Sequence, residues 1–181
     1  MPIYGGLIIV RRVVINMKPT SAETYERVRR HANMLLWAID LQCRRLRSSE
    51  PEDTAFVFRK FIDFEFLIVL LTRFRRVVKL ASNIPEIKSA ITLALNEFDS
   101  NLPQLKKLRD VAEHIDDYAI DKGRDSSIER KQLEVSCLCE GENDVTLSWL
   151  GYEINISDAL QASYKLFDVI KNISIVFTQR A

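Results

Sequence analysis

The sequence predicts a mainly α protein, an up-and-down bundle of four or five helices with a small antiparallel β-hairpin or meander before its last helix. Two observations predict this fold class. Apolar residues recur at helical spacing from about residue 21 to residue 122, and they alternate with polar residues between residues 133 and 149. The length of 181 residues predicts a single domain over 1-181, because a chain of this size buries one core well.

Residues 1-19 are predicted to be a strand-like N-terminal segment. Its apolar run, "YGGLIIVRRVVINM", is split by Arg11 and Arg12, and no basic residue precedes it as a signal peptide requires. The run is also too short to cross a bilayer. We therefore expect no membrane association from this segment.

Two long helices are predicted next. Thr20 and Glu23 fit a capping box, which predicts a first helix from about Ser21 to Ser48. The "SSEPED" stretch ends it, and a second helix follows over about Thr54 to Ala81. Its middle, "FIDFEFLIVLL", is apolar almost all the way round, which predicts the central helix of the bundle.

Two similar segments, "NIPEIK" and "NLPQLK", predict the starts of a third and a fourth helix. In each, an asparagine (Asn83 or Asn101) can cap the helix, proline fits the first turn, and Glu or Gln can reach back to the cap. The third helix is predicted from Ile84 to about Asp99, and the fourth from Leu102 to about Lys122, where Gly123 ends it. These helices complete a four-helix unit over residues 20-123.

A linker and a β-hairpin are predicted over residues 124-156. Residues 133, 135, 137 and 139 alternate with polar residues, as do 145, 147 and 149, and "EGEND" is a turn between them. A third short strand through Ile154 is also compatible with the pattern. Ser157 is predicted to cap a last helix from about Asp158 to Val176, within a C-terminal segment 157-181.

The composition limits the functions that the chain can have. The 26 Lys and Arg residues almost balance the 25 Asp and Glu residues, so binding to nucleic acid or anionic lipid needs a local basic patch. Three cysteines without zinc-like spacing predict reduced thiols in a cytoplasmic protein. There is no glycine-rich phosphate loop, no G-x-S-x-G and no H-E-x-x-H, so the sequence predicts no cofactor and no metal.

Three arginine clusters and the histidine of the first helix could each have a functional or a structural role. The clusters at 27-30, 44-47 and 73-76 could line a phosphate-binding surface, or they could be solvated faces with snorkelling side chains. His31 lies at helical spacing from Val28 and Leu35, which indicates a hydrogen-bonded histidine in the core or at an interface.

The fourth predicted helix carries the pair that could do chemistry, Arg109 and His114. An apolar stripe runs along this helix, with two further residues at its edge: Leu105, Leu108, Ala112, Ile115 and Ala119, then Val111 and Tyr118. At 100° per residue, Arg109 and His114 lie about 140° apart, one on each side of the stripe. They are therefore poor partners within one helix, but a symmetry-related helix packed on the stripe could bring His114 of one copy to Arg109 of the other.

Histidine and arginine together suit phosphodiester chemistry. A histidine moves protons near neutral pH, and an arginine gives two donors to phosphate oxygens. Asp110 and Asp117 lie one turn before and one turn after His114 and could fix its tautomer. The alternative is an amphipathic helix in which the acidic residues only interact with solvent.

The segment "LRDVAEHIDDY" resembles the R-x4-6-H signature of HEPN domains, and the order of elements through about residue 123 is compatible with that fold. It is also similar to uncharacterised bacterial proteins with an R-D/N-x-x-E-H-x-D-E/D-Y segment. Many HEPN proteins are metal-independent RNases that dimerise through the motif helices. In them the Arg and His help the RNA 2′-hydroxyl to attack the adjacent phosphate, which leaves a cyclic phosphate.

The resemblance implies roles for the matching residues. Arg109 would stabilise the phosphate, His114 would be the general acid and base, and Asp110 would be the polar neighbour. Asp117 and Tyr118 would support the pair. Four carboxylates lie between residues 110 and 117, so an RNA backbone would need nearby basic residues, of which Lys106 and Lys107 are the first candidates.

One position departs from a subgroup of the family. HEPN toxins that are silenced by nucleotidylation carry a tyrosine two residues after the histidine, whereas Asp116 stands there in this chain. The prediction is therefore a HEPN-like protein, acting as an endoribonuclease in a defence or toxin-antitoxin setting, with RNA and an antitoxin as partners. Two alternatives remain open: a non-catalytic helical module that dimerises or binds a partner, and a bundle that binds a nucleotide or another small molecule.

Overall fold

The structure, a computed structural model, describes residues 18-55, 58-134, 136-140 and 144-178, without the side chains of residues 52, 136-140 and 174-178. The predicted N-terminal strand-like segment lies outside this description over residues 1-17, as do residues 141-143 of the predicted turn. The described chain is mainly helical and has a small antiparallel sheet before its final helix, which confirms the predicted fold class.

Seven α-helices occur in the described ranges. They are α1 (Ser21–Arg47), α2 (Arg59–Leu80), α3 (Lys88–Asn101), α4 (Leu105–Glu113), α5 (Ile115–Ala119), α6 (Arg130–Leu133) and α7 (Ile156–Thr178). Helix α2 contacts α1, α3, α4 and α7, so it is the central helix as predicted, and α7 also packs on α1 and α3. The buried apolar side chains of these helices and of the sheet form one cluster.

Among the described residues, no helix is both long enough and apolar enough to cross a membrane.

The capping box predicted at the start of α1 is confirmed. Thr20 Oγ1 accepts a hydrogen bond from the Glu23 backbone N–H at 3.2 Å, and Glu23 Oε2 accepts one from the Thr20 backbone N–H at 2.8 Å. Of the two positions predicted for His31, the core is wrong, because His31 is exposed, and an interface stays a prediction. The buried stripe of α1 passes instead through Ala32 and Leu36.

Helix α2 begins at Arg59, five residues later than predicted. A 3-10 turn over Pro51–Thr54 precedes it, and the Arg59 guanidinium joins this turn to the end of α1. Helix α2 is not covered on all sides, because the side chains of Ile62 and Phe66 are 41% and 57% exposed. One apolar edge of the central helix therefore faces outward.

The two asparagines predicted as helix caps end the preceding helices instead. The side-chain amide of Asn83 donates to the Leu80 carbonyl at 3.1 Å, and that of Asn101 donates to the Glu97 carbonyl at 2.8 Å. Each proline then occupies the second position of a turn, closed by hydrogen bonds from Ile87 N–H to the residue 84 carbonyl and from Leu105 N–H to the residue 102 carbonyl. Proline suits this position because its φ is fixed near the value that the turn needs. Helices α3 and α4 therefore start three to four residues later than predicted.

The fourth predicted helix is interrupted at His114, which separates α4 from α5. The φ and ψ angles of His114 are −125° and 32°, outside the α-helical region. The interruption changes which side chains face the core: Val111 and Tyr118 are buried, whereas Ile115 is 43% exposed. The predicted apolar stripe is therefore wrong beyond Ala112, since Ile115 and Ala119 are both exposed.

The predicted role of Gly123 as a helix terminator is wrong. Helix α5 ends at Ala119, and the residue with positive φ is Asp121, at 59°. A Cβ atom at position 123 would overlap the ring of Tyr118. Glycine is required there because the chain passes directly against that buried ring.

Replacing Gly123 with alanine is expected to lower the free energy of unfolding by about 1-3 kcal/mol, since the added methyl group must displace a buried tyrosine. Urea unfolding would measure the loss. Gly151→Ala is the matched control, because its Cβ would meet nothing within 4 Å and only its φ of 76° opposes the substitution. The φ alone should cost Gly151→Ala about 1-2 kcal/mol. A loss in Gly123→Ala below about 1 kcal/mol would contradict this role of Gly123.

The sheet has three antiparallel strands in the order β1-β2-β3: Ser136–Glu140, Val145–Trp149 and Tyr152–Asn155. Val145, Leu147 and Trp149 are buried on one face, as their alternation predicted. Leu150 and Gly151 both have positive φ, which matches a two-residue turn whose twist fits the strands.

Helix α7 begins at Ile156, two residues earlier than predicted, and Ser157 is not its cap. The Asn155 side-chain oxygen accepts the hydrogen bond from the Asp158 N–H at 3.0 Å. The Ser157 hydroxyl donates to Asp144 and accepts from Arg47, both at 2.8 Å. Ser157 therefore joins α7 to β2 and to the end of α1.

Candidate active site at the α4–α5 break

His114 lies in the short break between α4 and α5. Its backbone N–H donates to the Val111 carbonyl and its carbonyl accepts from the Tyr118 N–H, both at 3.2 Å, so the backbone is held on both sides. The side chain is 47% exposed. The imidazole is thus partly exposed to solvent, while helices α4 and α5 hold the backbone of His114 in place.

The imidazole opens into a surface cleft of about 530 Å³, which we call the histidine cleft. Its charged lining residues are Lys106, Lys107, Asp110, His114, Asp117, Arg124 and Asp125. Three cations face three carboxylates, so the cleft has little net charge apart from the histidine. This cleft can hold a polar group, but its charge does not by itself attract an anion.

The residues predicted to support His114 have different roles in the structure. Asp117 Oδ2 lies 4.0 Å from His114 Nδ1, which is an ion-pair distance and too long for a hydrogen bond. Asp110 accepts from Arg109 instead of from the histidine. Tyr118 is buried, and its hydroxyl accepts a hydrogen bond from the Asp125 N–H at 3.3 Å. Tyr118 therefore fixes the wall of the cleft and does not face His114 as a reactive group.

Lys106 and Lys107 both line the histidine cleft but differ in availability. The Lys107 ammonium lies 2.8 Å from Asp125 and 5.1 Å from the centroid of the Tyr152 ring. The hydrogen bond from Lys107 lowers the pKa of Asp125 to about 2, and the same contact raises the pKa of Lys107. Lys106 is exposed and makes no ion pair with any described residue. Lys106 is therefore the freer of the two cations.

Arg109 lies on the other side of α4 and is mostly buried, with 17% of its side chain exposed. Its guanidinium donates to Asp110 and to Glu113, the latter at 2.8 Å, while no described group accepts from its buried Nε–H. Burial opposes the charged form, but these two carboxylates raise the pKa of Arg109 overall. Arg109 is therefore a fixed cation whose buried Nε–H has no acceptor among the described residues.

A second cleft, of about 520 Å³, contains Arg109, and we call it the basic cleft. Its polar lining residues come from α2, α3 and α4: Thr72, Arg75, Arg76, Lys79, Asp99, Lys106 and Arg109. Pro103 and Lys106 line both clefts, so the two adjoin there. Within one chain, Arg109 and His114 thus lie in separate but adjoining clefts.

Several lining residues were not identified from the sequence. Arg124 and Asp125 come from the segment after α5, and they reach the histidine cleft only because the chain turns back at Asp121. Thr72, Arg75, Arg76 and Lys79 do carry a sequence signal, since they are spaced by three or four residues along α2 and share one face. The sequence alone identifies Arg75 and Arg76 only as members of the arginine cluster at 73-76.

The other arginine clusters form ion pairs. Arg29 and Arg30 both contact Glu26, Arg44 contacts Asp40, and Arg45 contacts Asp63. The pKa of Glu26 is lowered to about 2 by its two arginines. These clusters therefore stabilise α1 and its junction with α2. Of the predicted phosphate-binding arginines, Arg75 and Arg76 of α2 line the basic cleft.

Comparison of the chain with protein-family models, with curated proteins and with solved structures finds no match.

Proposed function

We propose that this protein is a HEPN-like, metal-independent endoribonuclease whose active site combines residues from two copies of the chain. The observation that carries the proposal is the position of His114, half-exposed on a rigid helix break in a cleft that adjoins the cleft of Arg109. The resemblance of "LRDVAEHIDDY" to the R-x4-6-H signature supplies the reaction class.

The proposed reaction needs one proton-transfer group and one phosphate-stabilising group. His114 takes the proton of an RNA 2′-hydroxyl, and the 2′-oxygen forms a bond to the adjacent phosphorus. The bond from phosphorus to the 5′-oxygen breaks, and a histidinium returns a proton to that oxygen. The products are a 2′,3′-cyclic phosphate and a 5′-hydroxyl, while Arg109 stabilises the charge that develops on the phosphoryl oxygens.

A homodimer through the motif helices would complete this site. Apolar side chains near the motif are exposed in the single chain: Ile62 and Phe66 beside Arg109, and Ile115 directly after His114. Ile62 and Phe66 share a groove of about 140 Å³ with Arg109, Ala112 and Glu113. A second copy related by a two-fold axis would cover this apolar surface and bring its own His114 toward Arg109.

We further propose a cytoplasmic role in defence or in a toxin-antitoxin pair. A buried, reduced thiol is compatible with that compartment: Cys43 is free, and burial raises its pKa to about 11, which keeps it protonated and unreactive. In a toxin-antitoxin pair, an antitoxin protein would silence the RNase.

The test is incubation of the purified protein with mixed RNA in excess EDTA, with mapping of the product ends. Cleavage with cyclic phosphate ends that depends on both Arg109 and His114 supports the proposal. Light scattering measures the dimer directly, and a strict monomer at high concentration would contradict the composite site. A stable dimer that binds RNA without cleaving it would favour the alternative, a non-catalytic dimerisation or binding module.

A further inference from the structure

We propose that the basic cleft binds the backbone phosphates of a single-stranded RNA and leads the strand past Lys106 into the histidine cleft. This inference rests on the proposed function, because it assigns the substrate contact of the same site. It concerns a surface outside the Arg109–His114 motif, formed mainly by helix α2.

The balance of charge favours an anion in the basic cleft. Arg75 is neutralised by hydrogen bonds to Asp99, and Arg109 by Asp110 and Glu113. Arg76, Lys79 and Lys106 make no ion pair with a described residue, so three positive charges remain without partners. The histidine cleft, by contrast, has three carboxylates and three cations, and one of those cations is the shared Lys106. A phosphate is therefore attracted to the basic cleft first.

Two buried donors in the basic cleft also lack acceptors. The Thr72 hydroxyl and the Arg109 Nε–H are both shielded from solvent, and neither has a hydrogen-bond partner among the described residues. Buried polar groups without partners are rare, because each loses its interaction with water and gains nothing. Both belong to residues that line the same cleft, so a small shift of either side chain would let a bound phosphate oxygen accept from its free donor.

The shape of the surface favours a strand over a single phosphate. The basic cleft and the histidine cleft have volumes of about 520 and 530 Å³ and share Pro103 and Lys106. Together they offer room for several nucleotides, with Lys106 at the point where the strand passes from one cleft to the other. Flexible single strands suit such a path better than a duplex, since their backbone can bend between the clefts.

The proposal can be tested by fluorescence anisotropy with a labelled RNA of about twelve nucleotides, in EDTA and in a His114→Ala background that prevents cleavage. The double variant Arg76→Ala/Lys79→Ala is expected to bind at least about tenfold more weakly at low salt. Its salt dependence should also fall by about 1.4 in log–log slope, since each phosphate contact in a single strand contributes about 0.7. Both residues are exposed, so the fold should be unaffected.

Arg27→Ala/Arg30→Ala is the charge-matched control, because it removes two exposed arginines of α1 that line neither cleft. It is expected to bind within about twofold of the parent protein. Thr72→Val tests the unpartnered hydroxyl: it should weaken RNA binding about threefold or more without lowering stability, because no internal hydrogen bond is lost.

Two results would overturn the proposal. One is equal affinity of the cleft variant and the control variant for RNA. The other is that adenosine monophosphate displaces the labelled RNA as effectively as the unlabelled strand does, which would indicate a site for a free nucleotide. The wild type could also fail to cleave RNA while the cleft variant loses RNA binding. That result would support this inference and refute only the proposed catalysis.

Discussion

The His114→Ala variant is expected to cleave RNA at least about 100-fold more slowly than the wild type, because a positioned general acid or base contributes about 10²- to 10⁴-fold to the rate. The variant should fold normally, since the imidazole is half-exposed and its ion-pair contact with Asp117, at 4.0 Å, is too long for a hydrogen bond. Initial rates on a defined RNA substrate, at equal concentrations of folded protein, would measure the effect.

His31→Ala is the matched control for this prediction. The chain has two histidines, and His31 is exposed on α1, where it lines neither cleft. Its removal should leave the cleavage rate within about twofold of the wild type, as is usual for surface substitutions away from a site. Equal rates for His114→Ala and the wild type would show that His114 is not catalytic and that any cleavage comes from another residue or a contaminant.

Mixing two inactive variants tests whether the site is shared between copies. In a dimer of one Arg109→Ala chain and one His114→Ala chain, one of the two composite sites contains both native residues. If the chains exchange freely, half of the dimers are mixed, so about a quarter of the wild-type activity should return. Arg109→Ala leaves Asp110 and Glu113 without their partner, but both are about 40% exposed and can remain solvated. If subunit exchange is demonstrated and no activity returns, Arg109 and His114 must act within one chain.

The parts of the fold that sequence patterns predicted are those that local chemistry determines. The capping box at Thr20 and the buried alternation through Leu147 need only neighbouring residues, and both are confirmed. The "NIPEIK" and "NLPQLK" segments show the limit of that approach. The pattern Asn-x-Pro fits either the start of a helix or the end of one helix followed by a turn. The turn is selected by burial of the side chain between the two residues, Ile84 or Leu102.

The candidate site was less predictable because its clefts join residues that are far apart in the sequence. The segment "VAEHIDD" does not predict a helix break, because it contains neither glycine nor proline. The basic cleft combines Thr72 and Lys79 with Arg109, which become neighbours only when α4 packs on α2. A sequence pattern was enough to propose Arg109 and His114 as a pair, but the surface that would attract a phosphate required the tertiary structure.

Replacing Arg59 with methionine is expected to lower the free energy of unfolding by about 3-5 kcal/mol, the cost of breaking a buried ion pair from one side. All five N–H donors of Arg59 have acceptors: both oxygens of Asp53, one oxygen of Asp63, and the carbonyls of Arg45 and Ser48. The Arg59 side chain is 10% exposed and that of Asp63 is 5% exposed. Methionine fills the space but leaves a buried carboxylate with fewer partners.

Urea unfolding at pH 7 would measure the loss, with Arg44→Met as the control. Arg44 also contacts an aspartate four residues away, but its side chain is 65% exposed, so its removal should cost about 0.5 kcal/mol or less. Adding Asp63→Asn to Arg59→Met should recover part of the stability, because the amide keeps an acceptor and removes a buried charge whose remaining ionic partner, Arg45, is half-exposed. Equal losses in the Arg59 and Arg44 variants would contradict the structural role of Arg59.

The same variant should alter how stability depends on pH. Hydrogen bonds from Arg59 hold the pKa of Asp53 well below its ordinary value of about 3.9. A carboxylate whose pKa is lower in the folded state contributes stability above its unfolded pKa, and this contribution is lost as the pH falls toward the folded pKa. The wild type should therefore lose stability between about pH 5 and pH 3, whereas Arg59→Met should lose less over that range because Asp53 titrates nearer its ordinary value. A difference between the two proteins that stays constant from pH 7 to pH 3 would show that the Arg59–Asp53 contact does not contribute to stability in solution.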